Sequence, residues 1–387
     1  MKLICIFIAL LILITQISMV ACKTRNHVPA VIVFGDSSVD SGNNNKIATL
    51  LKSNFKPYGR DFEGGRPTGR FCNGRVPPDF IAEAFGVKKN IPAYLDSAYT
   101  IDDFVTGVCF ASAGTGYDNA TSDVLVSLRF FQPYFKYIFV YVMIIHSLRS
   151  NKHLQNVIPL WKEIEYFKEY QEKLRAHVGK EKANYIISEA LYLISLGTND
   201  FLENYYIFPT RQFHFTESQY QDFLVDIAEN FVRKIYSLGA RKLSITGLIP
   251  MGCLPLERAT NILDNHGCNE KYNNVALEFN SKLENMISKV NRELPQVKAL
   301  SANAYDIIND IITRPSFYAT LSRRCQIVNR SGCLDTATLS HSCQFENRSG
   351  CLDTATLSPV ANLKTVLVCI YSNAFSQLPN QKAFLFF

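Results

Sequence analysis

The chain has 387 residues, of which 47% are hydrophobic and 19% charged, enough for one large globular domain or two modest ones. Its formal net charge is +6, but the basic residues are spread along the chain and form no block of like charges. A nucleic-acid binder needs a basic patch or stripe, so the composition argues against a nucleic-acid partner.

The N-terminus is typical of a secretory signal peptide. Lys2 is followed by an apolar run from Leu3 to Ile14 and then by small residues near Ala21 and Cys22. This run is shorter than the ~20 apolar residues of a membrane span. We therefore expect residues 1–22 to be a cleaved signal and the mature protein to be secreted into the extracellular space or cell wall, with no stable membrane span. A retained anchor is the alternative.

A secreted setting gives a meaning to the cysteines and to three Asn-x-Ser/Thr sequences. Thiols in secreted proteins tend to pair. Of the 11 cysteines, nine remain once Cys5 and Cys22 are set aside, so at least one is unpaired or bonds another chain. The three sequences predict a glycoprotein, with candidate sites at Asn119, Asn329 and Asn347.

Short apolar runs that end in polar loops predict buried strands. They cover Ala30 to Phe34, Leu191 to Ser195, Lys242 to Thr246 and Val297 to Ala302. Of two long amphipathic helices, one follows the capping-box pair Thr216 and Gln219 and ends at Gly239, and the other runs from about Asn269 to Leu294. Strands that alternate with helices predict an α/β domain with a mostly parallel sheet, whose ligands gather at the carboxyl ends of the strands.

Two segments do not fit this pattern. Residues 125–156 are aromatic and basic, with no turn chemistry or amphipathic period, and their apolar part is too short to span a bilayer. The tail repeats the sequence Asn329 to Ser340 at Asn347 to Ser358, whereas a solenoid needs about three copies or more. We interpret residues 321–387 as poorly specified structure, and both segments as translated non-coding or misjoined sequence.

Ser37 follows the first predicted strand, in the sequence Phe34-Gly35-Asp36-Ser37. A serine hydroxyl becomes an effective nucleophile when a base removes its proton and donors stabilise the oxyanion that its attack creates. The glycine lets the backbone turn tightly and leaves space for a substrate. Alone, Gly-Asp-Ser is more typical of an ordinary turn than of a nucleophile, so the interpretation depends on the motifs that follow.

Ordered sequence blocks resemble the plant-type GDSL esterase/lipase family of the SGNH hydrolase superfamily. They are 34–43, Gly69 to Phe80, Phe110 to Gly116, Gly197 to Asp200 and Ile249 to Pro255. Ser38 replaces the eponymous leucine in the first block, and no Gly-x-Ser-x-Gly elbow surrounds Ser37. The resemblance runs over residues 28–124 and 157–318.

The resemblance implies a fold and a reaction. The fold would be a flavodoxin-like, three-layer αβα sandwich over residues 28–320, interrupted by the insert at 125–156. The reaction would be the hydrolysis of carboxylic (acyl) esters, with no metal and no organic cofactor. Substrates would be small-molecule esters, lipids or acylated polymers.

The resemblance also implies site residues. Ser37 would be the nucleophile, and the backbone N–H of Gly114 and the side-chain amide of Asn199 would hold the oxyanion. Cys253 and Cys268 would form a disulfide. The residues alone leave alternatives open, because Gly114 also suits a plain loop, Asn199 also suits a turn or helix cap, and the two cysteines could be free or paired otherwise.

The last block of the family, Asp-x-x-His, cannot be identified here. Of the seven histidines only His341 lies late enough in the chain, and Thr338 stands three residues before it. In serine hydrolases the histidine takes the serine proton, and its removal from a serine protease costs about 10⁶ in kcat. We therefore expect little activity and keep two alternatives: a catalytically inactive secreted glycoprotein that binds esters or carbohydrate, and a peripheral membrane protein.

Overall fold

A computed structural model of the chain describes residues 28–123, 157–207, 209–262 and 264–317. The proposed signal peptide, the insert at 125–156 and the tail at 321–387 lie outside these residues, as do His341, Asn329 and Asn347. The domain limits inferred from the sequence therefore remain predictions.

Five short strands form one parallel sheet. They are β1 Val31–Gly35, β2 Gly107–Cys109, β3 Leu191–Ser195, β4 Lys242–Thr246 and β5 Lys298–Ala302. Their order in space is β2-β1-β3-β4-β5. The chain therefore adds β2 on one side of β1 and then adds β3, β4 and β5 on the other side. A reversal of this kind opens a crevice at the carboxyl ends of β1 and β3. Ser37 and Asn199 follow these two strands.

Helices connect the strands. They are α1 Pro77–Ala84, α2 Ile101–Phe104, α3 Asn119–Ser122, α4 Leu160–Val178, α5 Lys180–Glu189, α6 Pro209–His214, α7 Glu217–Ser237, α8 Pro255–Thr260, α9 Glu270–Glu293 and α10 Ala304–Thr313. The two predicted long helices are confirmed as α7 and α9. Thr216 and Gln219 form the predicted capping box, and Asn269 caps α9. Within the described ranges, each helix is too short or too polar to cross a membrane.

The side chains of β1, β2 and β3 alternate between two apolar clusters, one on each face of the sheet. Ile32 and Phe34 of β1 belong to the larger cluster, which α4, α5, α7 and α9 cover. Val31 and Val33 belong to the smaller cluster, which includes Ile81 of α1. The sheet is therefore the middle layer of three, and the predicted α/β class with a parallel sheet is confirmed.

Cys253 and Cys268 form a disulfide, as the family resemblance implied. With a sequence separation of 15, the bond should contribute roughly 3 kcal/mol by restricting the unfolded chain. We expect the double variant Cys253→Ser, Cys268→Ser to lose about that much free energy of unfolding in urea titrations. Cys72→Ser, at a half-buried free thiol, is the matched control. Equal stability of the double variant and the parent would contradict this prediction.

Candidate active site

Ser37 lies in the turn that leaves β1 at its carboxyl end. Gly35 ends the strand with φ of +150°, and a Cβ there would stand 2.3 Å from the carbonyl oxygen of Ser195 in β3, so the position requires glycine. The N–H of Asp36 donates to that same oxygen at 3.1 Å. Asp36 is buried, whereas Ser37 is half-buried. The turn therefore holds Ser37 at the crevice between β1 and β3.

Gly114 lies on the loop that follows β2, on the opposite side of β1. The N–H of Ser112 donates to the carbonyl of Gly35 at 2.8 Å, which continues the strand pairing up to the turn that carries Ser37. Asp40, just beyond that turn, accepts from the N–H of Ala113 at 3.2 Å. Gly114 itself has φ of +88°, a conformation that favours glycine. Its N–H is thus carried on a loop fixed directly to the Ser37 turn.

Asn199 lies beyond the end of β3, directly before a π-helix at Asp200–Tyr205. Its Nδ2 donates to the carbonyl of Thr115 at 2.9 Å, which orients the amide against the loop that carries Gly114. One Nδ2 hydrogen is engaged there, and the second can serve another acceptor. The side chain is half-buried and makes no capping hydrogen bond to the helix. The alternative role of Asn199 as a side-chain cap is therefore not observed.

Asp200 joins the same two loops from inside the protein. Its buried carboxylate accepts from the N–H of Tyr117 at 2.8 Å, the N–H of Asp118 at 3.0 Å and the hydroxyl of Thr121 at 2.6 Å. Gly116 leaves the necessary space, since a Cβ there would lie 2.3 Å from the carboxylate. The sequence placed Asp200 in a block but gave no sign of this anchoring role.

Three neighbouring strands thus bring their following loops to one edge of the sheet, as the sequence blocks require. The family model described as GDSL-like lipase/acylhydrolase matches residues 31–362. The chain belongs to this GDSL family. It is a family of carboxylic-ester hydrolases, and the relatives below carry esterase/lipase names.

Three relatives from Arabidopsis thaliana are similar to the chain over most of their length. GDSL esterase/lipase At2g42990 is 55% identical over 308 residues, which are 80% of this chain and 78% of the relative. GDSL esterase/lipase At4g26790 is 51% identical over 311 residues, 80% of each chain. GDSL esterase/lipase At2g04570 is 53% identical over 291 residues, 75% of each chain.

Glu163, in the first turn of α4, supports the Ser37 turn of this GDSL protein from the helical side. The N–H of Gly35 donates to Glu163 Oε2 at 3.0 Å, and the side chain is fully buried. Burial raises the pKa of Glu163 well above its usual value, and the nearby Asp40 and Asp36 raise it further. Its Oε2 accepts the hydrogen bond that holds the backbone of Gly35. Sequence reasoning missed Glu163 because no motif marks it.

Asp36, next to Ser37 in sequence, and Glu203, which interacts electrostatically with Asp36, are two further acids with raised pKa values. Burial raises the pKa of Asp36 to about 6, although hydrogen bonds from Ser38 oppose the shift. Burial, with Asp36 nearby, raises the pKa of Glu203 to about 7. A raised pKa means that the folded state holds the proton more tightly. Each protonated acid therefore stabilises the folded state, fully so when the pH is below the ordinary pKa of its carboxyl group. This contribution is lost as the pH rises through the folded-state pKa, about 6 for Asp36 and about 7 for Glu203.

The variant Asp36→Asn should flatten this pH dependence. Both hydrogen bonds from Ser38 end on Oδ1 of Asp36, so an amide oxygen can keep them. In the parent, we expect the free energy of unfolding to fall as the pH rises from about 4 to 8, and Asp36 should account for up to about 3 kcal/mol of that fall. In Asp36→Asn this part of the fall should be absent. Urea titrations at both pH values measure it, with the exposed Asp222→Asn as control. Equal slopes in Asp36→Asn and the parent would refute the assignment.

The described histidines are engaged elsewhere. His177 pairs with Asp102 at 2.7 Å, and Nδ1 of His266 lies 3.1 Å from the carbonyl of Arg258. His214 lines a cavity beside α6. These contacts do not involve Ser37, and His341 lies outside the described residues.

Proposed function

We propose that the protein is a secreted serine esterase that hydrolyses carboxylic (acyl) esters, with Ser37 as nucleophile and Gly114 and Asn199 as oxyanion donors. Family membership supports ester hydrolysis. The residue assignment depends on one observation. The hydrogen bond from Asn199 Nδ2 to the carbonyl of Thr115, 2.9 Å long, ties this amide to the residue that follows Gly114 and so supports a shared role for the two donors.

In the proposed reaction, Ser37 Oγ attacks the ester carbonyl carbon while a base accepts its proton. The carbonyl oxygen becomes negative and receives the N–H of Gly114 and the free N–H of Asn199. A positioned donor of this kind lowers the barrier by about 3 to 4 kcal/mol, because it acts where charge develops. The alcohol then leaves, and water releases the acid from the acyl-enzyme. Small acyl esters, lipids and acylated wall polymers are the proposed substrate classes.

A second candidate is favoured by one observation, the absence of an Asp-x-x-His sequence throughout the chain. In this alternative the protein is a catalytically inactive secreted glycoprotein that binds esters or carbohydrate with the same fold. The first candidate predicts slow hydrolysis, since Ser37 has no histidine base from that block. The second predicts none.

The deciding experiment compares the purified full-length chain with its Ser37→Ala variant on p-nitrophenyl butyrate. Turnover above the buffer rate that falls in Ser37→Ala supports the esterase. Turnover that is absent, or unchanged in the variant, supports the inactive glycoprotein. Ser38→Ala is the matched control, because the Ser38 hydroxyl is already bonded to Asp36 at 2.6 Å and to Ser195 at 2.9 Å.

The proposed extracellular location, including the cell wall, rests on two observations. The apolar run after Lys2 has the length of a signal peptide. The Cys253–Cys268 disulfide suits the oxidising secretory route. Expression of the full chain in plant cells tests it: an N-terminus near Cys22 or Lys23 in the medium supports secretion, whereas an intact Met1 on a membrane fraction favours the peripheral membrane alternative.

A further inference from the structure

Asn119 and Trp161 form an exposed pair beside the candidate active site. Nε1 of Trp161 donates to Oδ1 of Asn119 at 3.0 Å. Asn119 is exposed at the start of α3, and Trp161, near the start of α4, is 56% exposed. Asn119 also begins an Asn-x-Thr sequence, and it is the single such site within the described ranges.

We propose that Asn119 carries an N-linked glycan whose first N-acetylglucosamine packs on Trp161. The proposal rests on the secretory route proposed above and is independent of ester hydrolysis. Glycosylation of Asn-x-Ser/Thr places a bulky sugar on the surface, and the indole of Trp161 is the broad, exposed apolar face adjacent to this asparagine. A sugar ring has an apolar C–H face. Packed on the indole, this face would shield part of the apolar surface of Trp161 from water, which is favourable.

The hydrogen bond leaves the attachment atom available. It engages Oδ1 of Asn119, while the glycan would be attached to Nδ2, which bonds no other described residue. The modified amide keeps Oδ1 as an acceptor, so the bond from Trp161 can persist and orient the linkage. A cavity of about 390 Å³ adjoins both residues and is lined by side chains that include Leu160, Ile164 and Phe223. The acetyl methyl group of the sugar would have apolar neighbours there.

The structure also sets the order of events. Thr121, the third residue of the site, is buried, and its hydroxyl donates to Asp200 at 2.6 Å. A glycosyltransferase could not reach this hydroxyl in the folded protein, so the glycan must be added before the loop closes on Asp200. The donor is a lipid-pyrophosphate oligosaccharide. Nδ2 of Asn119 forms a bond to the anomeric carbon, the bond from that carbon to the pyrophosphate oxygen breaks, the lipid pyrophosphate leaves, and one Nδ2 proton is released.

The first test is peptide mapping of the full-length chain secreted by plant or insect cells. Peptide-N-glycosidase converts a glycosylated asparagine to aspartate, so we expect Asp at position 119 after treatment and Asn without it. An unmodified Asn119 in lumenal or secreted protein overturns the proposal. If the chain never enters the lumen, as judged by protease protection, the proposal also fails and the failure is assigned to the secretory route. Esterase assays on the same sample report separately on the proposed reaction.

The second test uses Trp161 as its own reporter, because it is the one tryptophan in the sequence. Complete removal of the glycan from the folded protein should shift tryptophan emission to longer wavelength and lower Tm by about 1 to 3 °C. An endoglycosidase that leaves the first sugar in place should change neither. In Trp161→Ala, complete removal should leave Tm unchanged.

Two further variants serve as controls for the packing claim. Asn329→Gln and Asn347→Gln alter the other two candidate sites, so both should keep the full response to removal of the glycan at Asn119. Emission and Tm that do not distinguish protein with the first sugar from protein without it would overturn the packing on Trp161.

Discussion

Replacing residues 318–387 with the C-terminal segment of a GDSL family member that carries Asp-x-x-His should raise kcat for p-nitrophenyl butyrate by about 10⁶. The proposed nucleophile and oxyanion donors already stand on loops that hydrogen bonds join, at one edge of the sheet. The component of the proposed reaction that the sequence does not identify is a base. A histidine would take the proton from Ser37 and return it to the leaving alcohol, while its aspartate partner fixes the imidazole. Oxyanion donors and binding alone provide about 10³ to 10⁴ over water.

Controls separate this gain from an improvement in folding. Changing the grafted histidine to alanine should return the rate to that of the parent, and Ser37→Ala in the graft should do the same. A second graft that also joins Val124 directly to Val157 tests whether the insert at 125–156 obstructs the site. A graft that unfolds cooperatively yet hydrolyses no faster than its parent would show that Ser37 is not a nucleophile that lacks only a base.

The periodic parts of the fold could be predicted from the sequence. The limits of β3 and β4 agree with the predicted runs. The strand β3 is almost wholly buried and mostly hydrophobic, whereas in β4 the apolar Leu243 and Ile245 alternate with polar residues. The helices α7 and α9 were predictable for a different reason, namely a long amphipathic stripe with a capping residue at its start. Hydrophobic pattern and capping residues are local features of the chain, so a single sequence is enough to predict these strands and helices.

Other elements depend on contacts that are distant in sequence. The strand β2, Gly107–Cys109, is too short to show a period and is defined by its pairing with β1. The helix α4 has a local signal as well, since Phe167, Tyr170 and Leu174 recur at helical spacing and are buried. The periodicity of its sequence is therefore sufficient to indicate α4, whereas β2 is defined only by its pairing.

The candidate site divides in the same way. Ser37, Gly114 and Asn199 could be identified because their motifs are contiguous and resemble a known family in order. The supporting acids could not. Glu163 contacts Gly35 across 128 residues of sequence, and Asp200 contacts Tyr117 across 83. A long-range hydrogen bond leaves no pattern in a single sequence. The buried acids around Ser37 are therefore identified only from the three-dimensional structure.

Asn199→Ala should lower kcat by about 10² to 10³ in the grafted enzyme and change KM little. The amide meets the substrate oxygen only as negative charge develops on it, so its loss raises the barrier without weakening ground-state binding. Asn199→Asp should lose at least as much, because a carboxylate cannot donate and would repel the oxyanion. Full kinetics on p-nitrophenyl butyrate give both parameters.

The matched control is Asn285→Ala, the same substitution on the exposed side of α9, which should leave both parameters unchanged. Asn199→Ala also loses the bond to the carbonyl of Thr115, so its free energy of unfolding should fall by about 1 kcal/mol. That loss is too small to unfold a domain of this size and cannot by itself explain a drop of 10² in kcat. A variant whose KM rises while kcat holds would mean that Asn199 binds the substrate rather than the transition state, and the oxyanion role would then have to pass to another donor.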